Sequence, residues 1–279
     1  MQRNSILCPK CGLLISLSEQ TCPFCGLRSP GARWRRMPVF RLLDDPALMV
    51  KTLTGVNIGL FVLALLMDLP TAGLTANPLM LLSPSDSSLF VLGATGTIPI
   101  DRYQRWWTLV SAGYLHGGLL HIFFNLAALR QLSAVVVREY GLRRMFSIYT
   151  LAGVAGFGVS YLAGISLTIG ASAGVCGLVG AILYYGKSRG GVYGTAIYKQ
   201  VGMWVLIMFA FGFLVPGINN WGHGGGLAAG AVLGYLLGYH ERKREGALDR
   251  HLAALCLGIT AVVLLWAVAS GLYYRLMAS

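Results

Sequence analysis

Long apolar runs separated by short polar connections fill the chain from about residue 52 onward. Apolar runs of about 17 to 25 residues can cross a hydrocarbon core about 30 Å thick as α-helices. The pattern predicts seven such spans, of which the fourth and fifth are the shortest: residues 52–69, 117–137, 145–166, 171–186, 200–215, 221–239 and 252–274. We therefore predict an all-α, polytopic membrane helix bundle with a six-helix core over residues 52–240 and an additional C-terminal span within residues 241–279.

The composition agrees with a membrane protein and excludes an ordinary soluble domain. Of the 279 residues, 56% are apolar and 11% are charged, whereas soluble domains carry about 25% charged residues. The net charge of +12 would also fit a nucleic-acid-binding protein, but its distribution follows the predicted spans. With the N-terminus in the cytoplasm, all but three of the 22 Lys and Arg residues lie on or near that side, and the exceptions are Arg102, Arg105 and Arg275. The positive-inside rule accounts for this bias, so we expect no nucleic-acid partner.

The N-terminal segment supports the same orientation. Cys8, Lys10 and Cys11 stand where a signal peptide would need an apolar core, so we expect the first fifty residues to stay in the cytoplasm. Seven spans then put the C-terminus outside. We expect an integral protein of the inner (cell) membrane of a bacterium.

Residues 1–29 hold two Cys-x-x-Cys pairs, Cys8 with Cys11 and Cys22 with Cys25. Four thiolates at this spacing can hold one tetrahedral zinc ion, and each Cys-Pro-x-Cys-Gly sequence resembles the metal-binding knuckle of a zinc ribbon. Iron in place of zinc is one alternative, and a pair of disulfides, disfavoured in a reducing cytoplasm, is another. Because four cysteines leave no open coordination position, we predict a structural Zn²⁺ in a ribbon that serves as a fold staple or docks a cytoplasmic protein.

Two connections flank the first span. The linker 30–51 carries a basic cluster with one tryptophan, which predicts an anchor on anionic lipid headgroups, with a lipid-regulated switch as the alternative: Arg33, Trp34, Arg35, Arg36 and Arg41. The external connection 70–116 is too long for a simple turn and ends in Trp106-Trp107, residues that favour the membrane interface. We expect it to lean into the outer leaflet.

Polar side chains occur near the outer ends of three predicted spans that run in the same direction. His121 and Asn125 share one face of the second span, Ser172 opens the fourth and His223 opens the sixth. The alternating topology therefore brings all four to a similar depth. Polar residues inside a membrane are rare and mark functional sites, so the sequence predicts one here.

These residue types point to acyl transfer. A neutral imidazole on His223 can take the proton of the Ser172 hydroxyl as it attacks a carbonyl carbon. Between Asp101 and Glu241 the only carboxylate is Glu139, at the opposite end of the second span, so a hydrolase here would use a Ser–His dyad. Two further side chains and the backbone N–H at the start of the serine helix can donate hydrogen bonds to the oxyanion: His121 and Asn125. Close packing of the sixth span is expected from a stripe of small residues: Gly226, Gly230 and Gly234.

The combination of motifs resembles the rhomboid intramembrane serine proteases over about residues 52–240. Three motifs on alternate spans carry the resemblance: His116…His121-x-x-x-Asn125, Gly170-Ala171-Ser172 and Gly222-His223. It implies a protease that cleaves the transmembrane segments of single-span membrane proteins within the lipid bilayer and needs no cofactor for catalysis. It implies Ser172 as nucleophile, His223 as base, and His121 with Asn125 around the oxyanion.

The resemblance also implies a lateral substrate entry beside span five and an extra C-terminal helix like that of some members. Four aromatic residues of span five either line the entry or face lipid: Trp204, Phe209, Phe211 and Phe213. Three positions depart from the family pattern, since Thr108 follows Trp107 where Arg is common, Ala173 replaces Gly, and Cys176 replaces an aromatic residue.

Two other functions compete with proteolysis. The departures from the pattern favour a catalytically inactive, rhomboid-like scaffold that binds transmembrane helices and, through its ribbon, a cytoplasmic partner. A metalloenzyme that uses His116, His121 and His223 is disfavoured, because no carboxylate and no HExxH pattern lies nearby.

Overall fold

The computed structural model describes residues 5–8, 11–31, 41–68, 81–215 and 217–278. The chain divides into two compact units, residues 1–49 and residues 50–279. Residues 33–36 of the predicted lipid-binding linker lie outside the described residues, as do residues 70–80 of the long external connection. Arg41, the last member of the basic cluster, forms an ion pair with Asp45 at 3.3 Å.

The N-terminal unit contains a small antiparallel hairpin. Strand β1 runs over Ser5–Leu7 and strand β2 over Leu14–Ser16, with Ile6 opposite Ile15. Successive side chains of a strand point to opposite faces. Ile15 is accordingly buried with Cys8 and Cys22 in a small core, against which Ile6 packs.

Helices make up most of residues 46–278, which confirms the predicted all-α polytopic membrane fold. The long helices of the described residues are α1 (Pro46–Leu66), α4 (Leu119–Tyr140), α5 (Leu142–Leu162), α6 (Ser172–Arg189), α7 (Gly191–Leu214), α8 (Asn220–Leu237) and α9 (Ala247–Ala278). Four short elements lie between α1 and α4, namely α2 (Asp86–Val91), a π-helical turn (Ile98–Arg102), α3 (Thr108–Ser111) and a 3₁₀ turn (Ala112–Tyr114).

Helices α1, α4, α5, α7 and α9 are long and apolar enough to cross a membrane by length and composition alone. Helices α6 and α8 are the glycine-rich ones, and glycine adds little to hydropathy. Helix α6 lies in the middle of the bundle, where it packs against α4, α5, α7 and α8, and α8 packs mainly against α5 and α6. The helix that carries Ser172 is thus enclosed by other helices, whereas α8 leaves four large apolar side chains exposed on its outer face: Trp221, Val232, Tyr235 and Leu236.

Glycines in the left-handed region separate neighbouring helices. Gly141, with φ of 96°, ends α4 and starts α5, and Gly190, with φ of 66°, separates α6 from α7. Glycine adopts this backbone conformation without strain. Helix α7 begins at Gly191, well before the predicted span at 200, because a helix continues into polar sequence until such a break occurs.

Helices α6 and α8 run parallel with their backbones in close contact. A β-carbon on Gly226 would lie 2.2 Å from the carbonyl oxygen of Ala173, and one on Gly230 would lie 1.9 Å from that of Gly177. The contacts advance together along both helices, so the predicted small-residue packing of this span is confirmed. Helix α6 contributes to it as well, since a β-carbon on Gly180 would lie 2.0 Å from the carbonyl oxygen of Leu227.

The connection between α1 and α4 is held by its own hydrogen bonds from residue 81 onward. Thr95 pairs through both backbone groups with Thr168, in the connection before α6. The hydroxyl of Thr108, where the family pattern has Arg, donates to the Arg105 carbonyl and lies 3.0 Å from the Thr95 hydroxyl. This threonine therefore supplies internal hydrogen bonds to the loop.

A buried arginine fastens α9 to the bundle. The fully buried guanidinium of Arg144, near the start of α5, donates two hydrogen bonds to Asp249 at 2.9 and 3.1 Å. It also donates to three backbone carbonyls of the α8–α9 connection, those of Gly238, Lys243 and Arg244. The C-terminal helix is therefore anchored at its first turn.

Candidate functional site

The parallel packing of α6 and α8 puts Ser172 and His223 at corresponding ends of two adjacent helices. Ser172 is the first residue of α6, and His223 lies in the first turn of α8. Their neighbours on these helices, Ala173 and Gly226, are in direct backbone contact. Both candidate side chains are half-buried.

Gly170 marks the point where Ser172 and His121 meet. A β-carbon on Gly170 would lie 2.8 Å from His121 Nε2 and 3.5 Å from Ser172 Oγ. The φ of Gly170 is 124°, a conformation that favours glycine. The absence of a side chain at this position thus leaves a small space that the histidine and the serine share.

The hydrogen bond to His121 Nδ1 determines which ring nitrogen of His121 carries the proton. The Gly117 backbone N–H donates to His121 Nδ1 at 3.3 Å, so Nδ1 acts as the acceptor. In a neutral imidazole the proton must then be on Nε2. His121 therefore presents an N–H donor to the space beside Ser172 Oγ. No sequence pattern marks Gly117 for this role, because the group that acts is its backbone N–H.

His223 lies in the first turn of α8, just before the contact of Gly226 with the Ala173 backbone. Its Nδ1 is buried without a hydrogen-bond partner among the described residues, and its backbone N–H donates to the Asn219 carbonyl at 3.1 Å. No hydrogen bond of the described residues joins Ser172 to His223. Catalytic hydrogen bonds are commonly long in a free enzyme and shorten when substrate binds.

Asn125 contacts the backbone of His121, and His116 contacts its ring. Asn125 is buried one turn further along α4 and its Nδ2 donates to the His121 carbonyl at 2.9 Å. His116 is fully buried, with its ring edge-on to that of His121 at 5.1 Å between centroids. Neither nitrogen of His116 has a hydrogen-bond partner among the described residues, and the histidines of these residues form no cluster with metal-ligand geometry.

The carboxylate of Glu139 lies at the far end of α4 from His121. It accepts hydrogen bonds from Arg138 Nε at 2.7 Å and from the Tyr193 hydroxyl at 3.0 Å. Among the described residues, no hydrogen bond joins a carboxylate to Ser172 or His223. The described residues thus place no carboxylate in hydrogen-bond contact with either candidate side chain.

Two departures from the family pattern have structural partners. Ala173 is buried against Ala112 and Phe157, which fill the space around its methyl group. Cys176 is also buried, and its Sγ lies 3.4 Å from the Met208 sulfur of α7. A thiol therefore occupies the position where an aromatic ring would be expected.

The aromatic residues of α7 fall into two groups. Trp204, Phe211 and Phe213 are 53–80% exposed on the surface of the bundle, as expected for lipid-facing side chains. The ring of Phe209 instead lies 3.8 Å from the position of a β-carbon on Gly224, next to His223. Phe209 is therefore the aromatic side chain of this set that borders the candidate site.

The second candidate site is the four-cysteine cluster of the N-terminal unit. Sulfur to sulfur distances are 3.6 Å for Cys8 and Cys25 and 3.7 Å for Cys11 and Cys22, and all four sulfurs lie within 4.8 Å of one another. A tetrahedral zinc with bonds of about 2.3 Å would separate its thiolates by about 3.8 Å. The residues present therefore fit one tetrahedral metal ion, and no disulfide joins cysteines of the described residues.

The turns of the two Cys-x-x-Cys pairs have the same backbone geometry. The N–H of Gly12 donates to the Cys8 carbonyl and that of Gly26 to the Cys22 carbonyl, each at 2.9 Å. Both glycines have φ near 70°. This matched turn positions the second cysteine of each pair, Cys11 or Cys25, beside the first.

Comparison with known proteins relates the chain to rhomboid proteins. Residues 103–240 match the model of the Rhomboid domain, and this segment contains all four of Ser172, His223, His121 and Asn125. The chain is 32% identical to Rhomboid protease GluP of Bacillus subtilis (strain 168), over 70% of this chain and 36% of that protein. It is 30% identical to RHOMBOID-like protein 4 of Arabidopsis thaliana, over 58% of this chain and 41% of that protein. It is 34% identical to RHOMBOID-like protein 5 of the same plant, over 57% and 52%. The matched part of the chain thus spans a third to about half of the length of these relatives.

Proposed function

We propose that this chain is a rhomboid intramembrane serine protease that cleaves the transmembrane segments of single-span membrane proteins. The observation that carries the proposal is that Ser172 Oγ and His121 Nε2 both lie close to Gly170, at the start of α6. His223 lies in the first turn of the adjacent parallel helix α8. The match of residues 103–240 to the Rhomboid domain supports the same reaction.

The reaction is acyl transfer in two steps. Ser172 Oγ attacks the carbonyl carbon of the scissile peptide bond while His223 accepts the hydroxyl proton through Nε2. His223 then donates this proton to the leaving amine as the C–N bond breaks. In the second step His223 takes a proton from a water molecule as that water attacks the acyl carbonyl carbon. As the bond between this carbon and Ser172 Oγ breaks, His223 gives the proton to Oγ. The buried Nδ1 of His223 keeps its proton in every step, and Nε2 is the nitrogen that gains and loses one.

The negatively charged oxygen of the tetrahedral intermediate needs several hydrogen-bond donors that point at it. The Nε2–H of His121 and the backbone N–H of Ser172 at the start of α6 supply two of them. One N–H of the Asn125 amide is bonded to the His121 carbonyl, and the other is the third donor. Removing one donor from such a site typically costs about 10²- to 10³-fold in kcat.

The orientation follows from charge. Basic residues concentrate at the ends of α4, α6 and α8 that lie opposite Ser172 and His223, and they are retained in the cytoplasm of bacteria by the positive-inside rule. The catalytic end then faces outward and the four-cysteine unit faces the cytoplasm, where it binds Zn²⁺ as a structural ion and contacts a protein partner.

The test uses the full chain in membranes and after purification. Wild type, Ser172→Ala, His223→Ala and the matched control Ser188→Ala, at the other end of α6, are treated with a fluorophosphonate and with a tagged single-span reporter. Labelling and cleavage should be lost in the first two variants and retained in the control. Cleavage by Ser172→Ala at the wild-type rate would exclude the protease, and folded wild type that neither labels nor cleaves would identify the inactive scaffold.

A further inference from the structure

The side chain of Asn219, one turn before His223, makes three hydrogen bonds to three different parts of the protein. Its Nδ2 donates to Ser160 Oγ of α5 at 2.7 Å and to Thr168 Oγ1 at 2.9 Å. Its Oδ1 accepts from the Gly222 backbone N–H at 2.9 Å, which caps the start of α8. All of the side-chain amide's groups are therefore in use.

The partners determine which way the amide points. The N–H of Gly222 can only donate, so the atom that faces it must be the carbonyl oxygen. The hydroxyl of Ser160 donates to the Gly156 carbonyl at 3.1 Å and so has a lone pair left to accept the Asn219 N–H. The orientation of Asn219 is thus fixed by chemistry as well as by distance.

The bond from Asn219 to Thr168 connects the two backbone segments that lead into the site. Thr168 lies just before Gly170 and Ser172 in the chain, as Asn219 lies just before His223. The backbone of Thr168 is held on its other side by the Thr95 pair, with hydrogen bonds of 2.7 and 3.0 Å. Thr168 is therefore a fixed point, and Asn219 ties the start of α8 to it.

The packing around this bridge leaves little room for adjustment. A β-carbon on Gly222 would lie 3.0 Å from Ser160 Oγ and 3.1 Å from Asn219 Nδ2. On the α5 side, a β-carbon on Gly156 would lie 2.6 Å from the Gly222 carbonyl oxygen. The residue next to His223 is consequently clamped between α5 and the Asn219 amide.

We propose that Asn219 is a positioning residue, which sets the distance between Ser172 and His223 by bridging the start of α8 to Thr168. This inference rests on the proposed dyad and adds to it a residue that does not touch the substrate. A cap alone would stabilise α8, whereas the bridge also fixes where His223 stands relative to the serine.

The test separates capping from bridging. Asn219→Ser keeps a good N-cap oxygen but is too short to reach Ser160 and Thr168 together. Thr168→Val removes the bridging hydroxyl at nearly constant shape, and Thr168→Ser, which keeps it, is the matched control. Full-length variants are compared for thermal stability, fluorophosphonate labelling rate, and kcat and KM on the reporter.

We expect kcat and the labelling rate to fall roughly tenfold in Asn219→Ser and in Thr168→Val, with KM and melting temperature near wild type. The reason is that a displacement of a catalytic group by about 1 Å can lower a rate by about 10²-fold. The double variant should lose no more than either single variant, and Thr168→Ser should recover most of the rate. Rates within twofold of wild type in both single variants, or losses that multiply in the double variant, would overturn the inference while leaving the protease proposal intact. If the wild-type protein labelled and cleaved no faster than Ser172→Ala, both the inference about Asn219 and the protease proposal would be overturned.

Discussion

Replacing Gly230 with Ala tests whether close backbone packing of α6 and α8 sets up the site. The new methyl carbon would lie 1.9 Å from the Gly177 carbonyl oxygen and 2.5 Å from the Gly177 carbonyl carbon and Cα. All three are backbone atoms, so no side-chain rotation can relieve the overlap. Ordinary contact begins at 3.4 Å, so the helices must separate by about 1.5 Å at this point.

This separation should affect both stability and chemistry. Overpacking of a well-packed interior typically costs about 1–3 kcal/mol. Gly230 lies two turns after His223 on the same helix, about 10 Å along the axis, so a rigid shift of α8 would move the imidazole away from Ser172. A misplacement of about 1 Å can reduce a rate about 10²-fold, so Gly230→Ala should label with fluorophosphonate at least tenfold more slowly than wild type.

The matched controls are Gly202→Ala on α7 and Gly258→Ala on α9, where a β-carbon would meet nothing within 4 Å. Both should keep the wild-type labelling rate and melting temperature. Thermal unfolding in detergent and the labelling rate of the folded fraction are measured for all three variants. The reasoning is refuted if Gly230→Ala melts and labels like its controls, because the two backbones would then not be held in contact.

Three further changes have defined outcomes. Arg144→Met leaves Asp249 buried without its ion-pair partner and should lower the free energy of unfolding, measured with denaturant, by about 3–5 kcal/mol. The control Arg130→Met, at an exposed position, should change it by less than about 0.5 kcal/mol. Equal effects of the two changes would contradict the anchoring of α9. Cys176→Tyr restores an aromatic residue where only a buried thiol fits, so we expect a loss of about 1–3 kcal/mol, and a stable, faster-labelling variant would show that the site has room for the ring. Burial raises the pKa of the Cys25 thiol to about 12, so a metal ion that binds there must displace a proton and its affinity should rise with pH. Colorimetric measurement of released metal should show loss on acidification, and occupancy that does not change with pH would argue against a thiolate site.

The hydrophobic pattern was enough to predict the helices of the bundle, because apolar length is a local property of the chain. It also placed Ser172 and His223 at the same end of their helices, since alternate spans run in the same direction. Helix bounds were predicted less well, as α7 shows, because its start depends on the left-handed residues Gly190 and Gly191 and not on hydropathy.

The four-cysteine cluster was equally accessible to sequence reasoning. Two Cys-x-x-Cys pairs with a glycine after each second cysteine define a matched pair of turns, and the structure forms both. An Asn immediately before an apolar helix is likewise a local signal of an N-cap, so the capping role of Asn219, which we did not predict, was also open to prediction from the sequence.

The sequence alone determined which helices form and which ends carry polar groups, because hydropathy and charge act over single turns and single spans. Only the tertiary structure decided that His121 Nε2 and Ser172 Oγ share the space at Gly170, that Asn219 bridges to Thr168, and that Arg144 holds the start of α9. These contacts join residues about 50 to 100 positions apart, and they depend on backbones that approach closely wherever glycine leaves out a side chain. No local pattern records such a distance, because it arises only when the whole bundle has packed.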